Sequence, residues 1–267
     1  MSPEKLGQHF LTDASWRERI AHSIRASGGA WLEIGAGHGE MTSLLARKAS
    51  RVVAIELDAR LAAMLRAVTA ALGNVTVVEG DVLALDLLRI MDGEIFSVYG
   101  NLPYYITSPI LHRLFEQADQ ISAIHVVIQF EVAARITAKP GRREYGYFSA
   151  ACQYFARPEI ALRIPPGAFR PRPKVASALV SMRLPGQRAA LGVSDDAAFL
   201  GFIKRCFSQK RKTLRNNLRA RLGDRTEEIL SAAKVPSSAR AEQLTLAQFA
   251  ALFRLAGAHV QTGDPVQ

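Results

Sequence analysis

Five short apolar runs rich in β-branched residues, at 31–34, 52–55, 75–78, 95–99 and 124–128, recur through the first two thirds of the chain with helical patterns between them. That alternation constrains the fold more than anything else. Strands separated by helices pair in parallel rather than as hairpins, and their crossovers cover both faces of the sheet. Between the second and third runs, Leu61, Met64, Leu65, Val68 and Leu72 fall at helical spacing, with Asp58 placed to cap the start. At 267 residues and 49% hydrophobic content, the chain can bury one large α/β core and a small appendage. In such a sheet nucleotide-like ligands bind at the carboxyl ends of the strands.

From 148 to 184 the pattern changes to closely spaced apolar segments, 148–156, 159–164 and 176–184, which read as an antiparallel addition to the sheet. The loop 165–173 between the last two holds too many prolines for a helix or central strand, so a fixed extended shape is expected. A linker at 185–194 then leads to helices. Phe199, Phe202, Ile203, Cys206 and Phe207 share one face, but Lys210 and Arg211 fall where that face would continue. The helix must therefore break near Ser208, and Leu214, Leu218 and Leu222 begin another. Thr245 with Gln248 three residues on predicts a capping box at the last helix. Residues 263–267 read as a disordered tail.

The formal net charge is +10, and +8 of it lies between Lys204 and Arg225. Lys204, Arg205, Lys210, Arg211, Lys212, Arg215, Arg219 and Arg221 are the candidate polyanion-binding residues of this block. A cationic surface this concentrated is the footprint of a polyanion partner. Cys152 and Cys206 are far apart and lack metal-ligand neighbours, so neither a disulfide framework nor a metal site is expected, as in a reduced cytoplasm. No segment reaches membrane-spanning length, residues 1–11 lack a signal-peptide core, and a monomer is expected. Lone histidines such as His22, His112, His125 and His259 read as surface or core residues rather than ligands.

Glu33-Ile34-Gly35-Ala36-Gly37-His38-Gly39 follows the first strand and opens a helix near Glu40, so its glycines let the backbone turn sharply against a ligand. Glu56, beside the second strand, is placed to accept both hydroxyls of a ribose, a spacing that NAD binding shares. Two acids favour S-adenosylmethionine. Glu33 offers a wall for the cofactor's ammonium, and Asp81 stands after the third strand, where it can accept from an adenine amino group. Capping of the next helix is the alternative role for Asp81, which the position of Glu56 disfavours.

Asn101-Leu102-Pro103-Tyr104 follows the fourth strand and aims an amide, a proline-stiffened carbonyl and an aromatic ring at one small volume. A planar base with an exocyclic amino group requires two acceptors and a flat surface. Together with the glycine turn, this suggests methyl transfer to an adenine. Tyr104 is expected on one face of the base and Phe169 on the other, with the Asn101 side-chain oxygen and the Leu102 carbonyl accepting the amine hydrogens.

The matching motifs then run nearly end to end. They are Gly7-Gln8-His9-Phe10-Leu11 with Asp13; residues 33–39; Glu56-Leu57-Asp58; Gly80-Asp81; 101–109; Gln129-Phe130-Glu131-Val132; Tyr145-Gly146; 169–175; and 211–218. In these the chain resembles the KsgA family, the small-subunit ribosomal RNA adenine dimethyltransferases. The resemblance implies an α/β fold: a Rossmann-like class I methyltransferase domain with a mostly parallel sheet, here 1–187, plus a small, basic, all-helical C-terminal domain, here 193–262. It implies two methyl groups from S-adenosylmethionine on each of two adjacent adenosines near the 3′ end of small-subunit rRNA, in the ribosome or an assembly intermediate. His9, Leu11, Gly35, Glu56, Asp81 and Asn101 would line the cofactor, with Gly37 in the turn. The family usually has asparagine where His9 stands. Large-subunit adenine methylases of the macrolide-resistance type share the pocket, and a mainly non-catalytic assembly factor or methylation of a protein glutamine amide are further alternatives.

Overall fold

The computed structural model describes residues 9–25 and 28–257, so Gly7, Gln8 and the expected tail at 263–267 lie outside the described residues. These fall into two compact units, the residues up to 134 with 156–185, and 135–155 with 186–257.

In chain order the first unit runs β1 Phe10–Leu11, α1 Ala14–Ser23, β2 Ala30–Ile34, α2 Glu40–Ala46, β3 Arg51–Glu56, α3 Ala59–Thr69, β4 Val75–Glu79, α4 Leu87–Ile90 and β5 Phe96–Asn101. It continues with α5 Thr107–Phe115, β6 Ile121–Gln129 and α6 Phe130–Thr137, whose last turn passes into the second unit, where α7 Tyr147–Phe155 follows. The first unit is completed by β7 Arg157–Ile164, β8 Phe169–Arg170 and β9 Ser177–Arg183. All five predicted strands are present. So is the helix capped by Asp58, which accepts from the N–H groups of Arg60 and Leu61.

Seven strands form one sheet in the order β4-β3-β2-β5-β6-β9-β7. The first five pair in parallel, and β9 and β7 add antiparallel strands at one edge. The inner strands are largely apolar because helices cover both faces; β2 is buried at every position, its Glu33 included. The chain leaves β2 in one direction and returns to β5 on its other side. The crevice at that switch point is where an open α/β sheet binds its ligand.

One expectation is corrected here. Residues 148–156 do not join the sheet; 147–155 form α7. Ser149, Ala150, Ala151, Cys152, Tyr154 and Phe155 are all buried, a pattern without the period of two that a strand on a half-exposed face would show. The alanines favour helix. The proline-rich loop contains a 3₁₀ turn, Pro166–Ala168, before β8 pairs with β1.

The second unit gathers α7 with α8 Arg188–Leu191, α9 Asp196–Cys206, α10 Leu214–Leu222, α11 Thr226–Ala232 and α12 Leu246–Gly257. Residues 135–155, placed with the first domain by the sequence, pack in this helical unit: the Tyr154 hydroxyl donates to Asp196 at 2.5 Å, and its ring meets Phe155 edge-on. The helix break falls after Cys206, and α10 starts from Thr213, whose hydroxyl caps Asn216. The box at the last helix forms, with the Thr245 N–H donating to Gln248 and the Gln248 N–H to Thr245.

Candidate functional site

The parallel register carries the site. Glu33 stands opposite Tyr99 and Ile34 opposite Gly100, so Gly35 emerges from β2 beside Asn101 at the end of β5. A crevice at these strand ends is lined by His9, Phe10, Gly35, Glu56, Asn101, Leu102, Pro103 and Tyr104. An adjoining hollow is lined in part by Leu11, Arg17, Glu33, Gly37, His38 and Tyr99. The structure thus brings together His9, Leu11, Gly35, Gly37, Glu56, Asn101, Leu102 and Tyr104.

Gly37 has φ +56°, so the backbone shape calls for glycine, while a Cβ there would meet the Phe10 ring at an ordinary contact distance of 3.4 Å. Its N–H donates to Glu56 Oε2 at 2.8 Å, while Glu56 Oε1 accepts from the Asp58 N–H at 3.0 Å. These bonds fix the buried carboxylate in the crevice and leave each oxygen a further lone pair.

Glu33 is buried, and its Oε2 has no hydrogen-bond partner among the described residues; neither has the Tyr99 hydroxyl opposite. Burial pushes the Glu33 carboxyl up to about 8, with the nearby Glu40 and Glu56 adding to the rise and the Thr42 hydroxyl opposing it. Burial, then the charge of Glu33, raises the Tyr99 phenol as well. Two orphaned polar groups in one hollow suit an incoming cationic donor group, since unpaired buried polar atoms are costly.

Asn101 Nδ2 donates to the His9 carbonyl oxygen at 2.8 Å. The amide nitrogen is thereby committed, and Oδ1 is left as an acceptor. The Leu102 N–H is held by the Val127 carbonyl at 3.1 Å, which anchors the peptide that follows the strand. The Tyr104 hydroxyl lies 3.2 Å from Ser177 Oγ, fixing the ring's outer end. His9 Nδ1 lies 2.7 Å from the Pro171 carbonyl, and its ring centroid is 5.5 Å from that of Tyr104.

Phe169 does not reach the crevice. It is 1% exposed and packs in a cluster with Leu11, Ile164, Ala168 and Leu179. In the β1–β8 ladder Leu11 pairs with Phe169 and Phe10 with Arg170, and alternation sends the first pair into the core. Asp81 is exposed and lines neither hollow; its Oδ1 accepts from the Leu83 N–H at 2.9 Å within a turn, and the next helix, α4, is capped by Asp86 instead. Asp81 stays on the Glu56 side of the sheet, because the preceding Gly80 N–H donates to the Glu56 carbonyl.

Tyr99, Phe10 and Arg17 escaped the sequence reading. Register between β2 and β5 is the signal that would have placed Tyr99 against Glu33. The other two depend on how the N-terminal strand docks, which no local pattern encodes.

Another hollow of this unit, about 780 Å³, lies elsewhere, among Trp31, Ser97, Ser122, His125, Ser181 and others near the opposite strand ends. Burial holds His125 down to about 4, and it is bonded to Ser181 and stacked on Trp31, so it is a satisfied core imidazole.

In the helical unit Lys204, Arg205, Lys210, Arg211, Lys212, Arg215, Arg219 and Arg221 are all exposed. Arg215 pairs with Glu227 at 2.5 Å, and Lys210 Nζ donates to the Arg143 carbonyl, joining the loop 139–143 to the block. Partial burial, then the neighbouring charge of Arg221, lowers the Arg205 guanidinium. Like charges brought this close favour an anionic partner. Among the described residues no helix is long and apolar enough to cross a membrane, and no cluster could hold a metal ion.

The sheet order and the crevice at its switch point define a Rossmann-like class I methyltransferase, dependent on S-adenosylmethionine. A family model described as ribosomal RNA adenine dimethylase matches residues 3–257, and the chain belongs to that family. The ribosomal RNA small subunit methyltransferase A of Koribacter versatilis is 41% identical over 264 residues, 93% of this chain and 92% of that protein. Its namesake in Acidobacterium capsulatum is 44% identical over 254 residues, covering 94% and 89%. Among solved structures, the 23S rRNA methyltransferase ErmE aligns with a TM-score of 0.72 at 28% identity, over 93% of this chain and 99% of that one. A dimethyladenosine transferase from Plasmodium falciparum shares the fold with a TM-score of 0.79 at 22% identity, over 93% and 98%.

Proposed function

We propose that the protein transfers methyl groups from S-adenosylmethionine to N6 of two adjacent adenosines near the 3′ end of small-subunit rRNA, forming dimethyladenosines during ribosome biogenesis. The observation that carries this reading is the oriented Asn101 amide at the rim shared by Glu56, Gly35 and Tyr104. The cofactor fits the residues present. Glu56 would hold the ribose, Glu33 and Tyr99 would receive the ammonium, Gly35 and Gly37 leave room for the backbone approach, and His9 and Leu11 border the same region, with Asp81 outside both hollows on the Glu56 side. When bound, it supplies a methyl group on a sulfonium.

Adenine N6 is a weak nucleophile because its lone pair is delocalised into the ring. Asn101 Oδ1 and the Leu102 carbonyl accept its two hydrogens and stabilise the positive charge that develops on nitrogen, each such bond contributing roughly 1.5–3 kcal/mol. Tyr104 stacks on the extruded base, contributing about 1–3 kcal/mol. Positioning supplies more, about 7–11 kcal/mol, so no strong general base is required. The exposed cations of α9, α10 and the intervening loop grip RNA phosphates. The protein works as a monomer in the cytoplasm, on the small subunit or its assembly intermediate.

Incubation with labelled cofactor and undermethylated small subunits, followed by nucleoside analysis, tests the proposal. Dimethyladenosine at two neighbouring positions is expected. Label on large-subunit adenosine alone would transfer the protein to the other branch of the family.

A further inference from the structure

The strap between β8 and β9 is tied to the crevice rim at both ends. Near its start the Pro171 carbonyl lies against His9 Nδ1, and at its end Ser177 Oγ meets the Tyr104 hydroxyl. Residues 172–176 therefore border the mouth through which a base must enter. Arg172 and Lys174 are exposed along this strap, and neither has a carboxylate partner among the described residues. Arg170 differs, its guanidinium being folded back onto the Phe169 carbonyl. Val175 is 47% exposed, and across the rim Tyr105, the residue after Tyr104, leaves 64% of its surface in solvent. A large aromatic side chain left this open at a polar rim is poorly explained by packing.

Cations at alternate positions beside an exposed ring form the arrangement that holds single-stranded nucleic acid, with charge tracking the backbone and the ring taking a base. We propose that Arg172 and Lys174 hold the phosphates flanking the target adenosine, and that Tyr105 stacks the base next to it. This rests on the rRNA reading above. For a substrate with two adjacent targets, that neighbouring base is the second adenosine, so Tyr105 positions one target while the other is methylated. Its role lies in binding and register, and it does not touch the reacting atoms.

The test uses the full-length chain and undermethylated small subunits, measuring KM, kcat, the salt dependence of binding and methylation at each adenosine separately. Tyr105→Ala is expected to raise KM roughly five- to hundredfold. It should also unbalance the two adenosines, leave the affinity for S-adenosylmethionine unchanged, and be rescued by Tyr105→Phe. Arg172→Gln with Lys174→Gln should flatten the log–log salt slope by about 0.7 for each charge removed. A wild-type KM and even methylation in Tyr105→Ala, with an unchanged slope in the double variant, would overturn the strap proposal and leave the rRNA reading intact. A wild-type protein that methylates no small-subunit adenosine would remove both.

Discussion

The side-chain amide of Asn101 is oriented by the backbone of His9, whose carbonyl oxygen accepts from Nδ2 at 2.8 Å. This bond decides which end of the amide faces the crevice. Asn101→Ala removes the acceptor, and kcat should fall about 10²–10³-fold, the usual cost of one preorganised polar group in an active site. Asn101→Asp should not rescue it, because a carboxylate would face the His9 carbonyl without a hydrogen to donate. Steady-state methylation assays on small subunits distinguish these outcomes.

Tyr104 and Phe169 should separate in their effects. Tyr104→Ala should raise KM for RNA and leave the melting temperature nearly unchanged. Phe169→Ala empties a buried position and should cost about 3–5 kcal/mol of stability. Denaturant titration beside RNA kinetics gives the comparison, and a Phe169→Ala protein of native stability with impaired RNA binding would restore the two-faced sandwich.

Glu33 should make cofactor binding sensitive to pH. Its carboxyl titrates at about 8 in the folded protein, against an ordinary value of 4.5, so between these the native state holds a proton that the unfolded chain has lost. Its contribution to stability is therefore complete below about 4.5 and declines as pH rises toward 8, by up to about 1.4 kcal/mol per unit. An ammonium at Glu33 favours the ionised form, so binding S-adenosylmethionine at pH 7 should release a proton. Calorimetry in buffers of different ionisation enthalpy measures this release, and Glu33→Gln should abolish it and weaken binding.

Gly100 is limited by space. A Cβ there would lie 2.7 Å from Leu102 Cδ2 and 3.3 Å from the Ile34 carbonyl oxygen. Gly100→Ala should cost about 1–3 kcal/mol and push Leu102 from its place, lowering methylation beyond the loss of stability. Thermal melts and kcat on the same preparation check both.

The Arg205–Arg221 pair should report on RNA through salt. Replacing both with alanine should flatten the log–log slope of rRNA binding by about 0.7–0.9 for each phosphate no longer neutralised, with cofactor affinity unchanged. Filter binding across a salt series is sufficient.

Much of the fold and the site is legible in the sequence because periodicity and strand-end motifs are local. The runs around Val53 and Val98 define strands by composition, and Asp58 and Thr245 mark helix starts through bonds to neighbours two or three residues away. Glu56 and Asn101 can be placed because a parallel sheet brings successive strand ends together. Phe169 is misassigned from sequence because its direction depends on its pairing with Leu11, a residue distant in the chain. Residues 148–156 mislead because a fully buried helix and a buried strand have the same apolar composition; only the absence of alternation around Ala150 and Ala151 separates them.

The His9–Pro171 contact closes a separation of 162 residues. During synthesis, a nascent chain that has already made every strand from β2 to β6 still lacks the partner that seats its own beginning. The catalytic rim must therefore be assembled late, after the edge of the sheet has emerged, so that an incomplete polypeptide has no finished groove with which to engage ribosomal RNA.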